Sequence, residues 1–306
     1  MKPLWILQED IFDEDISRLQ KSILDYGATY DMIKYMPFDY SVCTLDMNGN
    51  AYLSEDKWSF PYGSLNWVIR LETTIGPHSY FNWLDLDKYK CSYYYPRMQA
   101  VLLNWMSVFV PYGRLKCADY QRLLTIDAVG DKGAVFLRPD DGFKSFTGQV
   151  VRDWDRDLQV LDNLNLSPEM MCVASCPHKL YKEYRCIIGH DYPHYDTPKR
   201  LITASCYKDD GVITEYNADD NDKLSRYVQE VLDKTTYDPA PFWVLDVCES
   251  RNGMRVVEVN NINCSGFYQC DTDKIVKNIT DYMLEESKDY EDHLLERLAR
   301  KTAGDS

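Results

Sequence analysis

The clearest chemistry in this chain lies in one short stretch, FWVLDVCESRNGMRVVEVN, which carries the carboxylates Asp246 and Glu258 and the side-chain amide of Asn260. The stretch reads as a β-hairpin. On the outgoing strand Trp243, Leu245 and Val247 share one face, and Phe242, Val244 and Asp246 share the other. On the return strand Val257 and Val259 take one face, and Val256, Glu258 and Asn260 the opposite one. A three-residue turn, Arg251-Asn252-Gly253, with Gly253 at a position of positive φ, sets Asp246 opposite Glu258. A two-residue turn sets Asp246 opposite Val259 and separates the acids. Oxygen donors gathered on one face over an apolar reverse side suit a hard divalent cation. The spacing also fits two solvated carboxylates on an exposed sheet face.

Two further clusters carry charge in patterns that suit phosphate. Arg138 closes the β-like run AVFLR and is followed by Pro139 and the turn DDGFKSFTG. In that turn Gly142 and Gly148 allow close backbone approach, and Ser145, Thr147 and exposed N–H groups can donate to phosphate oxygens. Arg138 adds a planar fork and Lys144 a movable point charge. The competing reading is an ordinary hairpin loop with a surface lysine. In YKEYRCIIGH, Glu183 and Arg185 sit two apart on an expected strand and share a face, where the carboxylate suits a ribose or adenine edge and the guanidinium an anion. They equally fit a surface ion pair of little worth. Cys264 and Cys270 have no base nearby in sequence and read as inert thiols.

The elements that must hold these groups follow from periodicity. LWILQ, FDEDISRLQKSILDYG and TYDMIKYMPF read as strand, helix and strand, with Ile16, Leu19, Ile23 and Leu24 at helical spacing and Gly27 as the stop. An aromatic-rich segment from 60 to 115 follows, in which YPRMQAVLLNWMSVFV reads as a buried helix. MCVAS, KEYRCIIGH and LITASCYK read as strands of one mainly antiparallel sheet, after a helix near 154 to 164. DKLSRYVQEVLDKTT is an amphipathic helix with Leu224, Val228 and Leu232 on one face, and a last helix runs from Asp271 to about Lys301 with Ile275, Ile279, Met283 and Leu284 inward.

With 306 residues, 45% hydrophobic and 27% charged, the chain suits a soluble protein of two or three subdomains. No run of ~18 apolar residues marks a membrane span and no signal-peptide pattern opens the chain, so a cytoplasmic protein is expected. Ten cysteines without a repeated C-x-x-C pair read as reduced thiols, and the five histidines form no zinc pattern. A net charge of -15 disfavours extended contact with a nucleic-acid backbone but leaves room for a nucleotide held by a few placed groups.

The order of the clusters is more informative than any one of them. Arg-Pro with a Gly/Ser/Thr turn and Lys, then Glu-x-Arg, then a hairpin Asp, then Glu-x-Asn resembles the ATP-grasp superfamily. FLRPDDGFKSFTG, KEYRCIIGH, WVLDVCES and VVEVNNINCSGFY resemble more closely a clade of it, known mostly from phage and bacterial genomes and marked by two arginines and a lysine, here Arg138, Arg185 and Lys144. The resemblance spans about residues 130 to 270, and LWILQ looks like the family's N-terminal unit. Arg138 departs from better-studied members, which usually carry lysine there. The resemblance implies an α+β ATP-grasp fold in which two sheet-containing lobes enclose a nucleotide. It implies a small lobe at about 120–205 and a large lobe at about 206–306 of a domain covering 116–306, behind a small α/β N-terminal region at 1–115. Catalytic roles fall to Arg138, Lys144 and Arg185, and ATP contacts to Arg138, Lys144, Ser175, Glu183 and Asp246, with Val173 to Ser175 as the hinge that meets adenine. Mg²⁺ falls to Asp246, Glu258 and Asn260. The implied reaction turns a carboxylate into an acyl phosphate for attack by an amine of a small molecule, peptide or protein, in the cytoplasm, or the host cytoplasm if the chain is phage-encoded. ATP-dependent RNA ligation or modification is the alternative, disfavoured by the net charge, and a non-catalytic nucleotide-binding module is a second. Residues 264–268 are expected to close over the acceptor, and the aromatic-rich segment to help shape its pocket.

Overall fold

The computed structural model describes residues 3–37, 44–51, 58–75, 81–128, 133–190 and 198–304. Three sheets organise the chain. The first is built on β1 (Leu4–Gln8), which pairs in parallel with β2 (Thr29–Tyr35) and with β4 (Ser59–Tyr62), while β3 (Thr44–Asp46) runs antiparallel at the edge beside β2. All five residues of β1 are buried because helices cover both of its faces. Trp5 and Leu7 meet Ile16, Leu19 and Ile23 of α1 (Asp13–Tyr26), and Leu4 and Ile6 meet Trp67, Val68 and Leu71 of α2 (Leu65–Ile75). Gly27, at φ 88, ends α1 as expected. Leu24 does not join the inward stripe; it is exposed.

The second sheet has the order β5-β8-β6-β7 and is antiparallel throughout, from β5 (Ser107–Pro111), β6 (Val135–Pro139), β7 (Gln149–Val151) and β8 (Met171–Ser175). Its core, Val135, Leu137, Cys172 and Ala174, is closed by Leu158 and Leu161 of a helix at Trp154–Asp162. The long buried helix expected over YPRMQAVLLNWMSVFV is not formed. Helix α3 (Cys91–Met98) stops early, the backbone of Val101 and Leu103 bonds to Val256, and SVFVP becomes β5. A continuous apolar run does not distinguish helix from buried strand, and here β8 offered SVFVP a strand partner.

The third sheet has the order β11-β10-β9-β12-β13, from β9 (Leu180–Gly189), β10 (Arg200–Asp209), β11 (Val212–Asn217), β12 (Trp243–Ser250) and β13 (Gly253–Asn261). One face carries Leu224, Val228 and Val231 of a helix at Asp222–Lys234 and Tyr94, Tyr95 and Met98 of α3. The other face packs on the C-terminal helix Thr272–Gly304, through Ile275, Ile279 and Met283, and on the N-terminal unit. The segments expected to form one sheet therefore divide. MCVAS pairs with β5 and β6, whereas KEYRCIIGH and LITASCYK pair with each other and with β12. Residues 176–179 connect β8, in the second sheet, to β9, in the third.

The hairpin β12–β13 reaches the expected pairing by a different route. Its turn has two residues, Arg251 and Asn252, between the paired Ser250 and Gly253, and by itself this would leave Asp246 opposite Val257. A β-bulge at Val257 shifts the register by one, so Val247 pairs with Val256 and Asp246 with Glu258. The bulge also changes the faces. Val256 lies in the core with Val259, and Val257 joins Glu258 on the cleft wall, contrary to strict alternation.

Candidate functional site

A row of charged side chains crosses the third sheet. Arg185 on β9 is registered with Asp246 on β12, and Asp246 with Glu258 on β13, so residues 61 and 12 positions apart stand side by side. Arg185 grips Asp246 with two hydrogen bonds, Nε to Oδ1 at 3.0 Å and Nη2 to Oδ2 at 2.9 Å. The side chains are 9% and 2% exposed, so the pair is withdrawn from water. Asn260 Nδ2 donates to both Asp246 Oδ2 and Glu258 Oε1, at 3.0 and 3.1 Å, and ties the two carboxylates together.

The second sheet supplies the opposing wall. Arg138, at the end of β6, donates to Glu258 Oε2 at 2.9 Å, and Lys144 of the following turn donates to Oε1 at 3.1 Å. The turn is closed by Asp141, whose side chain accepts from the Ser145 backbone N–H at 3.1 Å and from its hydroxyl. Lys144 sits in the left-handed region at φ 54, a conformation that costs an L residue about 1–2 kcal/mol. The strained backbone carries the ammonium to Glu258.

Electrostatics divides the two acids. Burial alone raises a carboxyl pKa, and at Asp246 it prevails over Arg185, leaving the group above its usual range. At Glu258 burial is overcome by Lys144 and Arg138, which hold the carboxyl well below the usual range. Arg185, though buried, is kept protonated by Asp246. Two acids in one cluster thus differ sharply in proton affinity.

Between the two sheets lies a cavity of about 570 Å³ whose wall includes Arg138, Lys144, Glu183, Arg185, Asp246 and Glu258. The volume falls within the range of small-molecule sites, about 300–1,000 Å³. Glu183 accepts from Tyr207 Oη at 3.2 Å and lies 3.5 Å from Lys208 Nζ, so it is both paired and on the cavity wall. Ser175 is not brought to this wall. It is buried at the end of the central strand β8, and the cavity is lined instead by Cys176, His178 and Leu180 just beyond it. Asn260 lines an adjoining cavity.

The structure adds residues that the sequence did not suggest. Tyr207 and Lys208 both line the cavity because a bulge in β10, at Tyr207, breaks its alternation with Cys206 in the core. Tyr207 stacks on Tyr268 with ring centroids 4.9 Å apart, and the Arg185 guanidinium lies 4.9 Å from the Tyr268 ring centre. Arg185 Nη1 donates to the Gly266 carbonyl at 2.6 Å. Residues 265–270 are themselves bracketed by α1. Asp15 Oδ2 accepts from the Phe267 N–H at 2.6 Å, and Arg18 donates to the carbonyls of Tyr268 and Cys270 and to Asp15. Acidic and basic residues three apart on α1 were visible, but nothing in the sequence linked them to a loop some 250 positions away.

The carboxylates of Asp246 and Glu258, with the Asn260 carbonyl oxygen once the amide turns over from its present Nδ2 contacts, would make a hard donor set that suits Mg²⁺ and not a soft metal. Among the described residues no group of three or more His, Cys, Asp or Glu is assembled for a metal, so a cation here would draw on the amide and on ligands other than protein carboxylates. Mg²⁺ commonly keeps such an incomplete protein shell.

A family model described as ATP-grasp domain, R2K clade family 3, matches residues 102–279. No curated protein matches the chain. Among solved structures the chain is similar to D-alanyl-alanine synthetase A from Vibrio cholerae O1 biovar eltor str. N16961, with a TM-score of 0.59 at 10% identity over 92% of this chain and 99% of that one. It is similar also to the D-alanine-D-alanine ligase from Coxiella burnetii, with a TM-score of 0.59 at 12% identity over 96% and 100%. A RimK domain ATP-grasp protein from Sphaerobacter thermophilus DSM 20745 matches with a TM-score of 0.53 at 11% identity over 92% and 99%. At these identities the likeness is one of fold.

Proposed function

The chain belongs to R2K clade family 3 of the ATP-grasp domains, and from that membership we propose that it is an ATP-dependent ligase that activates a carboxylate for attack by an amine. One observation carries the reading: the row Arg185, Asp246, Glu258 on one sheet, met by Arg138 and Lys144 from the other across a single cavity. Cations from one lobe and carboxylates from the other are what a triphosphate with its metal requires.

In this reading Arg138 and Lys144 leave Glu258 for the phosphates of ATP, the arginine as a fork and the lysine as a point charge. Asp246, Glu258 and Asn260 would hold Mg²⁺, which supplies charge neutralisation on the transferring phosphoryl group. Glu183 takes the ribose hydroxyls, and residues 176–180 replace Val173 to Ser175 as the adenine-facing segment. A carboxylate oxygen of the donor attacks the γ-phosphorus; the new O–P bond forms as the bond to the β,γ-bridging oxygen breaks, and ADP leaves with that electron pair. Arg185, fixed by Asp246, Gly266 and Tyr268, steadies the charge on the acyl phosphate. The amine nitrogen then attacks the acyl carbon, the C–N bond forms, phosphate departs with the C–O electron pair, and the amine proton passes to solvent.

The test is incubation of the protein with ATP, Mg²⁺ and a cell extract, followed by mass spectrometry for the species that gains mass and by analysis of the nucleotide product. Ligation with release of ADP and phosphate is expected, and Asp246→Asn and Lys144→Ala are expected to abolish it. Release of AMP would favour nucleotidyl transfer, as in nucleic-acid end joining. Stabilisation by ATP with no turnover would favour a binding module.

A further inference from the structure

A second cavity, of about 250 Å³, adjoins the interlobe cavity and shares Arg138 and Lys144 with it. Its remaining wall is divided between an apolar side, from Leu65 of α2, Leu84, Phe143 and Val259, and a polar side, from Tyr89, Asn260, Asn261 and Ser265. Asp141 is the one carboxylate among the lining residues, and it is engaged by Ser145. Past Phe143 the cavity runs on into a groove of about 480 Å³ that shares Leu84, Gly142 and Phe143, adds Ile69 and Leu86, and is bordered by Lys90 and by Asp85 and Asp87, whose carboxylates are paired with Lys88 and Lys90. Two cations at the inner end and an apolar side running from Leu65 and Leu84 to Phe143 and Ile69 behind them suit a ligand with an anionic head and an adjoining apolar group.

The turn at residues 140–148, a flap over the cavity, makes this channel. Gly142 is so close to the N-terminal unit that a Cβ there would lie 2.7 Å from the Leu86 carbonyl oxygen, so the turn is seated directly on that wall. Phe143, at the turn's tip, is 52% exposed and covers the channel without being buried by the protein itself. A large apolar ring held at the rim of a cavity gains burial when an apolar group enters beneath it.

Resting on the ligase reading, we propose that this second cavity is the acyl-donor site and that the donor is a carboxylic acid with an apolar group adjoining its carboxylate. The carboxylate meets Arg138 and Lys144, the same cations that face the phosphates in the first cavity, and its apolar portion lies between Leu65, Leu84 and Phe143. The placement brings nucleophile and γ-phosphate to shared groups while keeping the donor out of the nucleotide cavity.

The test uses the full chain loaded with Mg²⁺ and the non-hydrolysable β,γ-imido analogue of ATP, titrated by calorimetry with acetate, isovalerate, N-acetylleucine of each hand, and N-acetylleucinamide. Isovalerate or an N-acetylleucine is expected to bind at least tenfold more tightly than acetate, and the neutral amide at least tenfold more weakly than its acid. Phe143→Ala and Leu84→Asp are expected to weaken the apolar acid about tenfold with the affinity for the nucleotide analogue unchanged. Equal binding of acid and amide, indifference to both substitutions, or no binding by any apolar acid to the loaded protein would overturn the proposal. Failure of the nucleotide analogue to bind, before any acid is added, would strike the ligase reading instead.

Discussion

Arg185 and Asp246 are worth more as a pair than as separate charges, because neither is exposed enough for water to replace the other. Removing one partner of a buried pair typically costs about 3–5 kcal/mol, since it strands the remaining charge. Arg185→Met is therefore expected to lose stability of that order in denaturant unfolding, and the double variant Arg185→Met/Asp246→Leu to recover part of it. A double variant no more stable than the single one would refute the coupling. Glu258 makes a prediction in pH. Its folded-state pKa is depressed, so its contribution to stability is complete above the unfolded value of about 4.3 and is lost as pH falls toward the folded value. Glu258→Gln is expected to flatten the acid limb of a stability-against-pH profile below about pH 5. Asp246, raised by burial, acts in the opposite sense along that limb.

Two elements decide whether these residues meet, the flap and α1. The flap is seated by the missing side chain of Gly142, so Gly142→Ala must lift the turn away from Leu86. It is expected to raise KM for ATP several-fold, through Lys144, with less than about 1 kcal/mol lost from global stability, since the turn is partly exposed. α1 acts at longer range. Through Asp15 and Arg18 it fixes the loop that offers Gly266 and Tyr268 to Arg185. Arg18→Ala is expected to lower kcat for ADP release while leaving the dissociation constant of the nucleotide analogue within about twofold, and Arg18→Lys to restore part of the rate. A fall in nucleotide affinity that matches the fall in kcat would mark Arg18 as merely structural.

On the scale of the molecule, the lobes face each other with their charges already paired. Arg138 and Lys144 occupy both oxygens of Glu258, so a cation arriving alone competes with them, and a triphosphate arriving alone must draw them off the acid. ATP and Mg²⁺ together satisfy every group released. Their joint stabilisation in thermal unfolding is therefore expected to exceed the sum of the two separate shifts, and the excess to vanish in Glu258→Gln. Additive shifts in the unmodified protein would show that the paired charges do not couple the two ligands. The net charge of -15 has no bearing on this local balance.

Local pattern determined much of this protein. The N-terminal strand–helix–strand unit, the stop at Gly27, the turn that carries Lys144 and the hairpin that carries the acids all follow from periodicity, glycine placement and residue type, which are properties of neighbours in the chain. The set Arg138, Lys144, Arg185, Asp246, Glu258 and Asn260 was legible through the resemblance of its order to a known family, since each cluster alone also fitted an ordinary surface. Tertiary structure alone decided the rest. Which sheet a strand joins depends on competing partners, so MCVAS left KEYRCIIGH for β5 and β6. Bulges at Tyr207 and Val257 arise from strand pairing and leave no mark in a period-2 pattern, yet they turn two extra residues toward the cleft and restore the pairing of Asp246 with Glu258. The bracket from Asp15 and Arg18 to the loop at 265–270 joins groups some 250 positions apart, and only packing of α1 against the large sheet brings them within hydrogen-bond reach.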